Sequence, residues 1–351
     1  MKKLLCFILM LILYSPASAQ EYLDVTQDYK LKFPEDFYYK KDYKVQWWYF
    51  TGHLFDESGR EFGYEITFFV VNVQQREYKS AFGVNLIHIS HFAVSDVARK
   101  EFYFSDKAEA GAYGFAGAEE NRLLVWVGNN RLEGTAEEMH LKASGGDRAI
   151  DLRLKPVKSV VLNGEKGYSR KSEESPLLAS FYFSYTDMNT EGKLTLGDKT
   201  FHVRGKSWFD REISTKGLGE KLAGWDWFAI QLDDQREIML YLLRNKDGSA
   251  DPYTSGTFIY KDGEYLRLSK DDFSVNTVAY YKSGKTGARY PSEWEIRIPS
   301  EKLMMRITPL ITDQEVLAYN TTWNHYWEGT CKVEGTVKGR AYVEMTGYRN
   351  D

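Results

Sequence analysis

The chain has 351 residues, and its 46 Lys and Arg against 50 Asp and Glu give a net charge of −4. No basic block stands out, so a nucleic-acid partner, which needs concentrated positive charge, is not expected. With two cysteines, one of them at position 6, a framework of internal disulfides is also excluded.

The first nineteen residues read as a secretory leader. Lys2 and Lys3 precede an apolar run from Leu4 to Tyr14, and Ala17-Ser18-Ala19 supplies the small residues of a cleavage site. The run is shorter than the ~20 residues of a spanning helix, and no later stretch is apolar for long enough. The expectation is an exported protein, periplasmic or extracellular, cleaved before Gln20 and not membrane-spanning. Removing Lys2 and Lys3 leaves 44 basic residues against 50 acidic, a charge of −6 on 332 residues. That length exceeds the ~100–200 residues of a typical domain. It predicts two domains, 20–190 and 191–351, joined near the polar stretch from Thr186 to Gly192. Cys331 is then the remaining cysteine and is expected to be buried.

Along the chain the periodicity is that of strands. Leu152 and Leu154 alternate with Asp151 and Arg153; Trp294, Ile296 and Ile298 with Glu293, Glu295 and Arg297; Ala341, Val343 and Met345 with Tyr342, Glu344 and Thr346. Period two places one face inward and the other toward water or a lumen. Ser58-Gly59, Gly145-Gly146, Asp247-Gly248 and Asp262-Gly263 are tight-turn signals between such runs. Aromatic residues make up 15% of the sequence, with 25 Tyr, 20 Phe and 9 Trp, which favours strands, large cores and apolar pockets. The prediction is an all-β protein of up-and-down antiparallel sheets closed into barrels or packed as sandwiches.

One segment echoes another. Trp47, Phe50, Leu54, Asp56, Arg60 and Glu61 find identical partners in Trp225, Phe228, Leu232, Asp234, Arg236 and Glu237, once a two-residue gap is allowed at the turn. Each copy reads as an aromatic strand, a turn and a second strand, so two related barrels would account for both the echo and the length.

No His-Glu-x-x-His motif or cysteine cluster points to a metal, and His88 and His91, three apart in a strand, fall on opposite faces. There is no Gly-x-Ser-x-Gly elbow and no phosphate or dinucleotide loop, so neither a metal nor a cofactor is predicted. What stands out is acid among aromatics, in Trp208-Phe209-Asp210-Arg211-Glu212 and Gly224-Trp225-Asp226-Trp227-Phe228. A carboxyl in apolar surroundings keeps its proton to higher pH, and tryptophan faces stabilise a cation. Asp210, Asp226 and Glu212 are thus candidate proton donors. Trp208, Trp225 and Trp227, with Trp48, Tyr49, His53 and Glu65 of the first aromatic hairpin, are candidate ligand contacts. Asp210 equally suits an ion pair with Arg211 or Arg204, and His53 and Glu65 suit satisfied core groups.

Val45-Gln46-Trp47-Trp48-Tyr49-Phe50-Thr51-Gly52-His53-Leu54, the segments around Trp208 and Trp225, and Tyr326-Trp327-Glu328-Gly329 through Thr346-Gly347-Tyr348 together resemble the AttH-like family, which is related to the carotenoid 1,2-hydratases. The resemblance runs in order over nearly all of the mature chain. It implies two consecutive lipocalin-like (calycin) barrels and a tunnel or cavity for a hydrophobic ligand. In the hydratase branch water is added to a terminal isoprenoid double bond without a cofactor, around a Trp-Asp-His motif. Trp208 and Asp210 match its first two positions, while Arg211 stands where the hydratases have histidine. Because arginine cannot shuttle protons, that departure shifts the resemblance toward the secreted branch often labelled hydrolases. The leading expectation is cofactor-independent hydration or isomerisation of an unsaturated, isoprenoid-like molecule. A non-catalytic carrier of such molecules is the alternative, and a secreted hydrolase ranks third.

Overall fold

The computed structural model describes residues 22–73 and 84–348; the leader predicted at 1–19 lies outside the described residues. The first sheet holds β1 (Val45–Asp56), β2 (Glu61–Asn72), β3 (Leu86–Asp96), β4 (Glu101–Glu109), β5 (Ala116–Ala118), β6 (Leu123–Val127), β7 (Asn130–Gly134), β8 (Met139–Gly145), β9 (Arg148–Pro156), β10 (Val161–Leu162), β11 (Tyr168–Arg170), β12 (Ala179–Leu196) and β13 (Lys199–Ser214). The second holds β14 (Leu222–Leu232), β15 (Glu237–Asn245), β16 (Ser255–Ile259), β17 (Tyr265–Ser269), β18 (Ser274–Lys282), β19 (Arg289–Ile298), β20 (Leu303–Pro309), β21 (Glu315–Leu317), β22 (His325–Gly335) and β23 (Gly339–Thr346). The helices among the described residues are three 3₁₀ turns, and none is long and apolar enough to cross a membrane.

Every pairing within the two sheets is antiparallel, and both sheets curl into near-barrels. Their order repeats. In each, the first strand lies between its hairpin partner and the last strand of the sheet: β2-β1-β13 in one and β15-β14-β23 in the other. The first sheet closes on itself through polar bridges, Lys107 of β4 donating to Asn130 Oδ1 of β7 at 3.1 Å and to Ser144 O of β8 at 2.7 Å. Asn130 Nδ2 in turn donates to Ser90 Oγ of β3 at 2.9 Å.

The change of sheet falls between Ser214 and Leu222, not at 190/191. The polar stretch taken for a linker lies inside β12, an 18-residue strand whose far half forms a hairpin with β13 and pairs with β9. Asn189 and Glu191 there hold exposed strand positions while Thr190 between them points inward to Ser207, and β13 must return to β1 before the first sheet is complete.

Each barrel interior is filled by its own side chains. Trp48, Phe50, Phe62, Ile66, Phe68 and Phe209 belong to the first core, Phe228, Leu240, Trp294, Ile296, Trp327 and Val343 to the second, all essentially inaccessible. Burying one such side chain contributes roughly 1.5–3 kcal/mol. Cys331 is buried in the second core.

The barrels meet through the outer faces of their first strands. On β1, Trp48, Phe50 and Leu54 point inward while Trp47, Tyr49, Thr51 and His53 point at the second barrel. Gly63, opposite His53, permits the approach: a Cβ there would stand 2.8 Å from Thr330 Cβ of β22.

Candidate functional site between the barrels

The sequence echo is reproduced as geometry in this layer. It matches Tyr49 with Trp227 and His53 with Gln231; the ladders to the last strands then match Asp210 with Glu344 and Ser207 with Ala341. Tyr49 and Trp227 touch edge to face, with ring centroids 5.2 Å apart. His53 Nε2 donates to Ala341 O at 3.1 Å, and Gln231 Nε2 donates to Ser207 O at 3.1 Å. Contacts that exchange under the correspondence define a pseudo-twofold axis passing near Tyr49 and Trp227.

Around this axis, among the described residues, four carboxyls are buried, Glu65 of β2, Asp210 and Glu212 of β13 and Glu328 of β22, and a fifth, Glu344 of β23, is half-buried. Their strands alternate, so acid and aromatic side chains share one face. Tyr182 Oη donates to Asp210 Oδ2 at 2.6 Å, and Ser184 Oγ and Trp208 Nε1 donate to Oδ1 at 2.5 and 2.7 Å. Trp227 Nε1 donates to Tyr182 Oη at 2.9 Å. Burial nevertheless pushes Asp210 up to about 7, because the three donors do not replace bulk water, and Glu212 nearby adds repulsion. Glu344 is pushed up to about 8 by burial, with Glu212 and Asp210 adding to it and a hydrogen bond from Trp225 opposing.

Burial also holds Glu328 well above the usual carboxylate range, and Glu65 and Glu344 raise it further. Tyr49 Oη donates to its Oε1. Glu65 is raised well above that range for the same first reason. Thr67 Oγ1 donates to Glu65 Oε1, but Oε2 has no partner among the described residues, and neither does the Tyr342 hydroxyl in the same layer. Glu212 differs in having a counterion, Lys171 Nζ at 3.0 Å, and Ser180 Oγ also donates to it. Lys171 lies 4.4 Å from the Tyr241 ring centroid. Burial in this layer therefore favours the protonated form of carboxyls set among tyrosine and tryptophan rings.

Of the residues singled out in the sequence, Asp210, Glu212, Trp208, Trp225, Trp227, Tyr49, His53 and Glu65 all face this layer. Trp48 and Asp226 do not. Trp48 lies in the first barrel's interior. Asp226 points into the second, where Arg244 Nε donates to it at 3.0 Å and Tyr348 Oη at 2.8 Å. The suggested Asp210–Arg211 pair does not form, because adjacent residues of a strand point to opposite faces. Arg211 lies inside the first barrel, 3.9 Å over the Trp48 ring, donating to Gln46 Oε1 at 2.7 Å and to Tyr38 O and Glu212 O at 2.8 Å.

Glu328, Glu344, Tyr182, Tyr342 and Tyr326 were not singled out. Their signal was the polar half of an alternating strand, which reads the same whether it faces water or a second sheet. Among the described residues no group of three His, Cys, Asp or Glu is placed to hold a metal ion. The larger open grooves lie elsewhere; one of about 840 Å³ runs along the outer face of β9, β12 and β13 and is lined by charged groups including Asp151, Arg153, Glu191 and Arg204.

Two curled antiparallel sheets packed through such a layer define a tandem lipocalin-like protein. The AttH-like family model matches residues 24–348, and the chain belongs to that family. An AttH protein of Nitrosomonas europaea is 28% identical, with a TM-score of 0.86 over 93% of this chain and 100% of its own. Kievitone hydratase from Nectria haematococca shares the fold at 14% identity, TM-score 0.70, over 93% of this chain and 96% of its own. CghA with Sch210972 does so at 11% identity, TM-score 0.51, over 86% and 88%. A search of curated proteins found no relative.

Proposed function

We propose that the layer between the barrels receives a largely apolar, unsaturated small molecule and protonates it without a cofactor, leading to hydration or isomerisation of a double bond. The observation that carries this reading is the set of carboxyls beside aromatic faces whose protonated form burial favours. Kinship in fold with a hydratase supports it.

Glu65 is the donor the geometry favours, because its Oε2 is buried and faces no protein partner. In the reaction the Glu65 O–H bond breaks and its proton forms a C–H bond at one alkene carbon. The cation left on the other carbon lies against Trp and Tyr faces, which stabilise it electrostatically. Water adds its oxygen there and returns a proton to the carboxylate; loss of a neighbouring C–H proton instead gives isomerisation. Asp210, with donors on both oxygens, orients Tyr182 and Trp208 in this scheme.

The test is ligand extraction and native mass spectrometry on protein from its own host, as wild type, Glu65→Gln and Asp210→Asn. A hydrated or rearranged isoprenoid on wild type, and the same molecule unmodified on Glu65→Gln, supports the acid. Loss of a general acid lowers turnover by about 10²–10⁴-fold. The same unmodified molecule on all three identifies a non-catalytic carrier. Export belongs to the proposal too: the mature protein from its host is expected to begin at Gln20 on N-terminal sequencing.

A further inference from the structure

A loop of the second barrel, residues 318–324, reaches across to β3 and β4 of the first. Asn320 N and Nδ2 donate to Asp106 at 3.1 and 2.9 Å, and Thr321 Oγ1 donates to Asp106 Oδ2 at 2.9 Å. Behind it His91, itself buried, places Nε2 3.0 Å from Thr321 Oγ1 and Nδ1 2.7 Å from Tyr326 Oη. Glu328 lies two residues from Tyr326 on the same face of β22, close enough for the Tyr326 hydroxyl to stabilise its carboxylate.

With a neutral His91 the bonding admits one arrangement of hydrogens. Thr321 has a single hydrogen and gives it to Asp106, so His91 Nε2–H donates to Thr321. His91 Nδ1 then accepts from Tyr326, which is left to accept from Glu328. That order needs a neutral histidine and a protonated Glu328. Burial favours both, taking His91 down to about 4 and Glu328 up.

We infer that Glu328, Tyr326, His91, Thr321 and Asp106 form a proton relay joining the buried carboxyl layer to solvent. Asp106 and Thr321 are partly exposed, whereas His91, Tyr326 and Glu328 are buried. When Glu328 is ionised the chain reverses: a solvent proton arriving on Asp106 passes to Thr321 Oγ1, the Thr321 hydrogen to His91 Nε2, the Nδ1 hydrogen to Tyr326 and the Tyr326 hydrogen to Glu328. One proton enters, each intermediate group gains one and loses one, and no co-reactant is consumed. The inference rests on the proposed acid function for its purpose, because Glu328 lies beside Glu65 and keeps that pair in equilibrium with bulk pH. Tyr326, His91 and Thr321 are positioning residues that act through Glu328.

The experiment needs no substrate. Infrared difference spectra of wild type against Glu328→Gln identify the protonated-carboxyl band of Glu328, and transfer to D₂O times its exchange. Tyr326→Phe and the near-isosteric, partly exposed Thr321→Val are expected to slow that exchange at least about tenfold, while amide exchange along β22 stays at the wild-type rate. A merely structural role would speed both exchanges together. Unchanged carboxyl exchange in both variants overturns the relay, as does a Glu328→Gln difference spectrum with no protonated-carboxyl band. A carrier result in the ligand-extraction experiment would leave the relay standing and remove only its use.

Discussion

The barrel interiors and the layer between them both exclude most solvent and are opposite in chemistry. Inside the barrels aromatic and aliphatic side chains interlock, and the charged groups present are matched, Asp226 with Arg244 and Tyr348, Arg211 with carbonyls and the Trp48 face. In the layer, among the described residues, four buried carboxyls and the half-buried Glu344 have Lys171 as the cation set beside them. A well-packed interior stabilises at every pH. A layer of poorly matched acids contributes stability only while it keeps its protons, and its cost resembles the strain that binding and catalytic sites hold in reserve.

The comparison breaks first in the core. Phe50→Ala, which removes a ring 4.6 Å from Phe209, is expected to cost about 3–5 kcal/mol in a denaturant titration, by the same amount at pH 5 and pH 8.

The layer should respond to pH instead. The folded-state values of Asp210 and Glu344 lie near 7 and 8, above those of the unfolded chain. Between roughly pH 4 and those values the folded protein binds more protons than the unfolded one, so stability falls as pH rises, by at most about 1.4 kcal/mol per unit for each group. Thermal melting from pH 5 to 8 should show the midpoint dropping, and Asp210→Asn with Glu344→Gln should flatten the drop. A midpoint that rises over that interval would mean the acids are ionised throughout.

Two ion pairs between the barrels give smaller effects and separate burial from charge. Lys158 Nζ meets Glu237 at 2.7 Å with both side chains nearly inaccessible, and burial pushes Glu237 up to about 7 even so. Lys158→Met should cost about 1–3 kcal/mol at pH 8 and less at pH 5, where Glu237 can take a proton in place of the lysine. Arg340 and Glu61 meet at 2.6 Å near the rim; Arg340→Met should cost less than about 1 kcal/mol, an effect that salt diminishes. Urea titrations at both pH values distinguish the two pairs.

Strands, antiparallel order and the existence of two related halves were legible in the sequence because period-two burial and the Trp47/Trp225 echo are local signals. The join was not: it depends on β13 returning to pair with β1, across 147 to 169 residues of sequence. The candidate acids divide along the same line. Asp210 and Glu212 stand out beside Trp208, but Asp226 stands out equally beside Trp225, and only strand phase places it on the other face. Glu344, between Val343 and Met345, looked like the solvent side of a half-buried strand, since no one-dimensional pattern records that a second sheet covers it. His91 was weighed as a metal ligand, and its partners Tyr326 and Thr321 lie 230 and more residues away.

The reciprocal bonds His53–Ala341 and Gln231–Ser207, and the meeting of Tyr49 with its counterpart Trp227, are those of an isologous dimer written into one polypeptide. In a true homodimer any change on such an axis appears twice, so the two ends of the interface stay chemically identical. Joining the copies covalently lifts that constraint. Asp210 and Glu344, Ser184 and Glu328, Trp208 and Tyr342 occupy equivalent places yet differ in length, acidity and hydrogen bonding. An unsymmetrical molecule seated on the axis would meet a different neighbour at each end and would have one preferred orientation rather than two.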